Sequence, residues 1–276
     1  MKEVIFTVNA EIDVPVELDS LLPKNLQDMG IEEIKKIQLP QGNKKISVDE
    51  LCDVVVNEND DGDATLKVII NGSSMKLKRI GEKMDGGEII VNGDAGMYVG
   101  AEMKSGKITV NGNAECWVGQ NLKGGEIVIN GNAKDYVGSA YRGDWRGMNG
   151  GKITINGNVG TEIGEYMKKG LIVINGNCKI MPGVHQNGGI IMLNGEVEGR
   201  AGGEMLKGAI VINGPLKSKL PSFEYEGIVE DPLIKLTKKD EGTQIKGAYY
   251  KYIGDFVNNK PKGQLYLSVE HNDPVY

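Results

Sequence analysis

Eight Asn-Gly pairs punctuate the middle of the chain, at Asn71-Gly72, Asn92-Gly93, Asn111-Gly112, Asn130-Gly131, Asn156-Gly157, Asn175-Gly176, Asn194-Gly195 and Asn213-Gly214, spaced by 21, 19, 19, 26, 19, 19 and 19 residues. A period of this size marks a repeat too small to bury its own apolar face, which it buries only against its neighbours. The segments around the pairs align as EIIVNG, KITVNG, EIVING, KITING, LIVING, IIMLNG and AIVING. Their second position is an unbroken column of Ile89, Ile108, Ile127, Ile153, Ile172, Ile191 and Ile210. Two residues on stand Val91, Val110, Ile129, Ile155, Ile174, Leu193 and Ile212, and between them Ile90, Thr109, Val128, Thr154, Val173, Met192 and Val211. Period two with β-branched residues predicts a strand, with the two apolar columns facing in and the Thr-tolerant column facing out.

Two more glycine columns complete each repeat, one from Gly81 to Gly202 and one from Gly87 to Gly208. Between the first and second glycines run a small column, Ala95, Ala114, Ala133, Val159, Cys178 and Val197, and a larger one, Val99, Val118, Val137 and Ile163. Between the second and third runs Met84, Met103, Leu122, Met148, Met167 and Met205. Each repeat therefore offers inward side chains from three short segments separated by glycine corners. We expect the Asn-Gly pairs to turn the chain through left-handed backbone, which both residues tolerate, and the stacked asparagines to hydrogen-bond as a ladder. The methionines read as core and Cys178 as an inert buried thiol. The expectation is an all-β chain: a parallel β-helix of about seven 19-residue coils over residues 67–214. A small N-terminal α+β cap (1–66) precedes it and an extended C-terminal segment (215–276) follows.

The cap reads as a strand-rich start, two amphipathic stretches at Ile31 to Ile37 and Val48 to Val55, and an acidic turn, NENDDGD, at 57–63. Covering the first coil would shield its open edge. The final segment holds Pro215, Pro221, Pro232 and Pro261, and KGAYYKYIGDF reads as a strand in a tail that wraps the stack or reaches a partner.

The net charge of −6 comes without a run of Lys or Arg, so no nucleic-acid partner is expected. Neither a leader nor a stretch of about 18 apolar residues is evident, which predicts a cytoplasmic protein with no membrane partner. Cys52, Cys116 and Cys178 are far apart without a C-x-x-C, and His185 and His271 are the only histidines. We therefore expect no catalytic residue, cofactor or metal site on this chain.

One coil is 26 residues long, with seven extra residues between Gly138 and Met148 in SAYRGDWRGM. An insertion at a corner leaves stacking intact, so a uniform stack expels its functional parts as such loops. Tyr141, Arg142, Asp144, Trp145 and Arg146 are concentrated there, residue types that often anchor protein interfaces. Two readings are open. Trp145 lies back on the stack with both arginines paired to local carboxylates, or the loop is an interface with another polypeptide, which is the expectation. An outward stripe of Tyr98, Trp117 and Tyr136 is explained equally by stacking between coils or by a partner.

The glycine columns and phrases such as GMYVGAEMKSGKITVNGNAECWVGQNLKGGEIVINGNA resemble the GXGXG-type β-helix of the glutamate synthase large chain. The segment Gly138 to Gly151 with its YRGDWRGM, the opening KRIGEKMDGGEIIVNG, GAYYKYIGDF and KGQLYL are similar to the C subunit of formylmethanofuran dehydrogenase, over nearly the whole chain. That resemblance implies a right-handed helix and a non-catalytic scaffold in a complex that reduces CO2 onto methanofuran in methanogenesis. It also implies a metallohydrolase-like subunit and a pterin-binding redox subunit as partners. A molybdopterin or tungstopterin centre, iron–sulfur clusters and a binuclear metal site would then lie on the partners. The alternatives are the C subunit of a formyltransferase/hydrolase complex, a glutamate synthase GXGXG domain, and a stand-alone β-helix enzyme. A hexapeptide acyltransferase fits poorly, since it needs a period near 18 and catalytic histidines.

Overall fold

A computed structural model describes residues 2–58, 66–237 and 241–274, so most of the acidic turn lies outside the described residues. The described residues are mostly β, with three short helices among them at Pro23–Leu26, Ile31–Lys35 and Val48–Leu51. The second amphipathic stretch divides, its first half forming the last of these helices and its second half entering the strand Cys52–Glu58. One strand per repeat joins a 13-stranded sheet. From Leu66–Ser73 to Lys207–Ile212 these strands pair in parallel and in register, so that Ile89, Ile108, Ile127, Ile153, Ile172, Ile191 and Ile210 lie directly opposite one another. Every member of this column and of the one two residues on is 0% exposed. The small column stacks as well, through parallel bridges such as Ala95 to Ala114 and Val159 to Cys178. The methionine and larger aliphatic columns are equally buried, so the interior of the stack is filled mostly by apolar side chains. Burying a side chain of this size contributes roughly 1.5–3 kcal/mol, which offsets the ordering of the corners.

The sheet is mixed rather than uniformly parallel. At its start Lys2–Val8 lies parallel on Leu66–Ser73, adding Val4 and Phe6 to the two inward columns, and Cys52–Glu58 closes that edge antiparallel. At the other end Lys262–Ser268 adds a parallel rung on Lys207–Ile212, and Ala248–Gly254 then Glu224–Glu230 follow antiparallel. The strand expected in KGAYYKYIGDF is thus present at Ala248–Gly254. The extension also corrects the outward column: Val211 is 0% exposed, because Ile234, Ile245, Tyr249 and Tyr266 pack over Val211, Ala209 and Ile190 as a second core outside the stack.

Expectations for the corners divide. The asparagine ladder is complete: from Asn92 to Asn213 each Nδ2 donates to Oδ1 of the preceding Asn at 2.7–2.9 Å, and Tyr249 Oη donates to Asn213 Oδ1 at 2.8 Å to cap it. The left-handed turn, however, is not at these pairs beyond the first two repeats. Left-handed backbone falls instead on the second and third glycine columns and on side-chain-bearing residues, including Tyr98, Trp117 and Tyr136 with φ of 68°, 62° and 66°. Glycine follows Asn for a different reason, close approach: a Cβ at Gly131 or Gly157 would stand 2.7 Å from the carbonyl oxygen of the equivalent glycine one repeat earlier. One polar residue was missed in the methionine column. Gln186 takes that place between Met167 and Met205, 0% exposed, and its Nε2 donates to the Gly188 and Gly189 carbonyls at 2.9 and 3.0 Å.

Candidate functional site

The long repeat leaves the stack at Gly138 and rejoins it at Met148, whose N–H donates to the Gly138 carbonyl at 3.0 Å. Asn149 N–H then bonds the Leu122 carbonyl at 2.7 Å, so the columns resume without a break and the extra residues stand outside. Ser139, fully buried, pins the departure by donating its hydroxyl to the Glu162 carbonyl at 2.5 Å. A turn follows, with Asp144 N–H on the Tyr141 carbonyl at 2.8 Å and Gly143 at φ 80°.

The structure brings the loop and the aromatic stripe together, which were separate candidates in the sequence. Tyr98, Trp117 and Tyr136 stack face to face, with centroids 5.4 and 4.9 Å apart. Tyr141 tilts onto Tyr98 and Trp117 at 6.4 and 6.1 Å, and the Arg142 guanidinium lies 5.8 Å from the Trp117 and Tyr136 centroids. Arg79 covers the other end of the stripe, 4.9 Å over Tyr98. Each contact sets a cation against the electron-rich face of an aromatic ring, an attraction that is weak while the cation stays hydrated. Hydrogen bonding to Tyr136 raises the Arg142 pKa, and burial raises that of the Tyr98 phenol, with Tyr141 beside it adding to the effect. The stripe was visible as a column of aromatics two residues before the second glycine. That the loop would lie on it follows from Tyr136 and Gly138 sharing one corner with the insertion.

The other half of the loop does not fold back. Arg146 makes a bidentate pair with Asp144, Nε to Oδ1 at 2.9 Å and Nη2 to Oδ2 at 2.8 Å. This pairing holds the Asp144 carboxyl below and the Arg146 guanidinium above their ordinary values. The pair props up Trp145, which is 63% exposed with Lys168 Nζ 4.0 Å over its ring. Arg146–Asp144 pairing is therefore internal to the loop, while the indole stands out from the stack with only Lys168 laid on its face. Trp145 forms the wall between two hollows. One of about 400 Å³ is ringed by Glu102, Lys123, Asp144, Arg146 and Lys168, and one of about 290 Å³ by Tyr166, His185, Glu204, Leu206 and Asn258. His185 stacks on Tyr166 at 4.6 Å, with Nδ1 3.7 Å from the Glu204 carboxylate. Lys168 and the His185–Tyr166 pair were not picked out from the sequence: Lys168 shares its column with Lys104 and Lys123 and reads as one more surface lysine, and Tyr166 and His185 are two rings in a column that also holds Lys83, Glu102, Asn121 and Glu204.

Among the described residues no group of three or more His, Cys, Asp or Glu side chains converges as a metal site, and no helix is long and apolar enough to cross a membrane. The site offers an indole, a guanidinium–carboxylate pair and flanking hollows, which suit the recognition of a surface.

No protein-family model matches the sequence. Over 272 residues the chain is 71% identical to the C subunit of the tungsten-containing formylmethanofuran dehydrogenase 2 of Methanococcus maripaludis, covering 99% of this chain and 98% of that protein. The protein of the same description from Methanothermobacter thermautotrophicus is 57% identical over 275 residues, 100% of this chain and 99% of its own length. Among solved structures, a chain in the formyltransferase/hydrolase complex of Methylorubrum extorquens, determined with methylofuran, matches with a TM-score of 0.82 over 96% of this chain and 99% of its own. At 24% identity that likeness is one of fold alone. High identity from end to end settles the family: the chain belongs to the C-subunit family of formylmethanofuran dehydrogenase.

Proposed function

We propose that this chain is the non-catalytic scaffold subunit of a tungsten-containing formylmethanofuran dehydrogenase, a cytoplasmic oxidoreductase complex that reduces CO2 to formyl-methanofuran. In this reading residues 67–214 are a right-handed parallel β-helix, 1–66 its cap and 215–276 an extension. The right hand follows the general preference of parallel crossovers. A metallohydrolase-like subunit and a pterin-binding redox subunit dock on the outside of the helix. The pterin centre, iron–sulfur clusters and binuclear metal site sit on those partners, and Tyr141, Arg142, Asp144, Trp145 and Arg146 form an interface.

The observation that carries this reading is the 71% identity to the C subunit of a tungsten-containing enzyme over 99% of the chain. The geometry supports it from a second direction. A stack filled mostly by apolar side chains presents only its outer surface to other molecules, and the exposed Trp145 on its braced loop is the kind of anchor that dominates interfaces. Replacing Trp145 and Arg146 together by Ala tests the interface. The variant should keep the wild-type circular dichroism spectrum and melting temperature, because neither residue touches the stack's interior. Its partners should be held more weakly by on the order of 2 kcal/mol, as for an anchoring aromatic. Unchanged co-purification of partners would remove the loop from the interface.

A further inference from the structure

Along one outer edge of the sheet the chemistry changes half-way up the stack. The position after the third glycine holds Glu88, Lys107, Glu126 and Lys152 in the early repeats, where Lys152 and Lys107 reach Glu126 at 3.3 and 3.9 Å and Lys67 reaches Glu88 at 3.9 Å. Further on the same position becomes Leu171, Ile190, Ala209 and Gln264, and the C-terminal extension packs on it. Beside this covered strip opens a cleft of about 940 Å³ whose charged lining among the described residues is Lys168, Lys169, Lys207 and Lys262. No described carboxylate lines it, and none of the four lysines has an ion pair among the described residues, whereas Lys104, Lys107, Lys123, Lys134, Lys152 and Lys217 on other repeats all do. Lys207 and Lys262 are direct register partners on adjacent strands. Like charges so placed are destabilising, and a chain of net charge −6 has carboxylates to spare for them. Among the described residues this corner is instead left positive.

We propose that this cleft seats an acidic, extended segment of a partner subunit. Its length suits one. The lining runs over five successive strands, from Gly151 through Gly170, Gly188 and Lys207 to Lys262. At about 4.8 Å between strands that is about 19 Å, the span of about six residues of extended chain. The lysines stand one and two strand spacings apart, about 5 and 10 Å, which brackets the roughly 7 Å between carboxylates on alternate residues of such a segment. This surface adjoins the Trp145 loop at Lys168, which also lies over the indole, while Lys169, Lys207 and Lys262 stand away from the loop's hollows; the proposal rests on the reading of the chain as a subunit of an assembly.

Zero-length carbodiimide coupling of the intact native assembly, followed by peptide mass mapping, tests it, since that reagent joins an amine only to a carboxylate in contact. Amide links from Lys169, Lys207 or Lys262 to Asp or Glu of another polypeptide are expected. The Lys207→Glu/Lys262→Glu variant should hold that polypeptide at least about tenfold more weakly, as for the loss of desolvated charge pairs. The Lys152–Glu126 pair within this chain is the internal control for coupling. If the control couples while the cleft lysines link only to this chain or to nothing, a small anion or solvent occupies the cleft and the proposal is overturned. An assembly recovered with silent cleft lysines defeats this inference alone. A chain recovered without partners defeats it together with the subunit reading.

Discussion

Ile127 sits at the centre of the stack, 0% exposed, between Ile108 and Ile153 on the neighbouring strands. Its Cδ1 fills the space that a Cβ at Gly119 would contact at 3.4 Å. Truncation to Ala should therefore lower unfolding free energy by about 2–5 kcal/mol, the usual range for a cavity left in a rigid core. Ile127→Asp should abolish the fold, because it strands an unpaired carboxylate among aliphatics. Urea denaturation followed by circular dichroism measures both, and a wild-type midpoint for Ile127→Ala would contradict the packing described. The cysteines make a second prediction at this scale. Burial pushes the Cys52 and Cys178 thiols from the ordinary 9.0 up to about 12. A thiol-specific chromogenic reagent at pH 8 should spare both in the native protein, modify the half-buried Cys116 slowly, and reach all three in denaturant. Between pH 9 and about 12 the unfolded thiol releases its proton while the folded Cys178 keeps it, so its contribution to stability is intact below that window and lost as pH rises through it. Cys178→Ala should lose less stability over that interval than wild type.

The elements that repeat were legible in the sequence, and the junctions between them were not. A strand column such as Ile89 to Ile210 declares itself because the same environment recurs seven times, so its residue type is dictated seven times. The asparagine ladder was legible for the same reason. The glycine after each Asn was recognised as obligatory but for the wrong cause, since a turn and a close backbone approach both select Gly and only coordinates separate them. Gln186 escaped notice because a single polar residue in an apolar column carries no period. The loop was legible as an insertion, and its five marked residues were legible by type. Which of them folds back and which stands out was decided by geometry, with Tyr141 and Arg142 laid on the stripe and Trp145 propped outward. The ladder's cap gives a test at this level. Tyr249→Phe removes the hydroxyl that bonds Asn213 and the Lys246 carbonyl, and should cost about 0.5–1.5 kcal/mol by thermal melting, with the extension rather than the stack loosening first in hydrogen exchange.

At the level of the whole molecule, a stack of identical rungs has two open ends, each presenting unpaired strand edges that recruit other chains. This chain closes one end with its own first strand and the antiparallel Cys52–Glu58, and the other with Lys262–Ser268 and the strands beyond it. The extension has a further task, since it also covers Ile190, Ala209 and Val211. Ending the chain at Gly214 should therefore give a β-rich product that aggregates, which light scattering would register; a monodisperse truncated protein would show that the extension is dispensable to the fold. What remains outside is a rigid post with a braced indole loop and, adjoining it at Lys168, a lysine-lined cleft. The central claim, that this post gathers other subunits and does no chemistry alone, is tested most directly by native mass spectrometry of the particle purified through a tag on this chain, with activity measured on the particle and on the isolated chain. The account predicts that the 29.8 kDa polypeptide is released from a larger particle holding formylmethanofuran dehydrogenase activity, and that alone it has none. Recovery of a free chain from its native source, or turnover by the isolated chain, would contradict it.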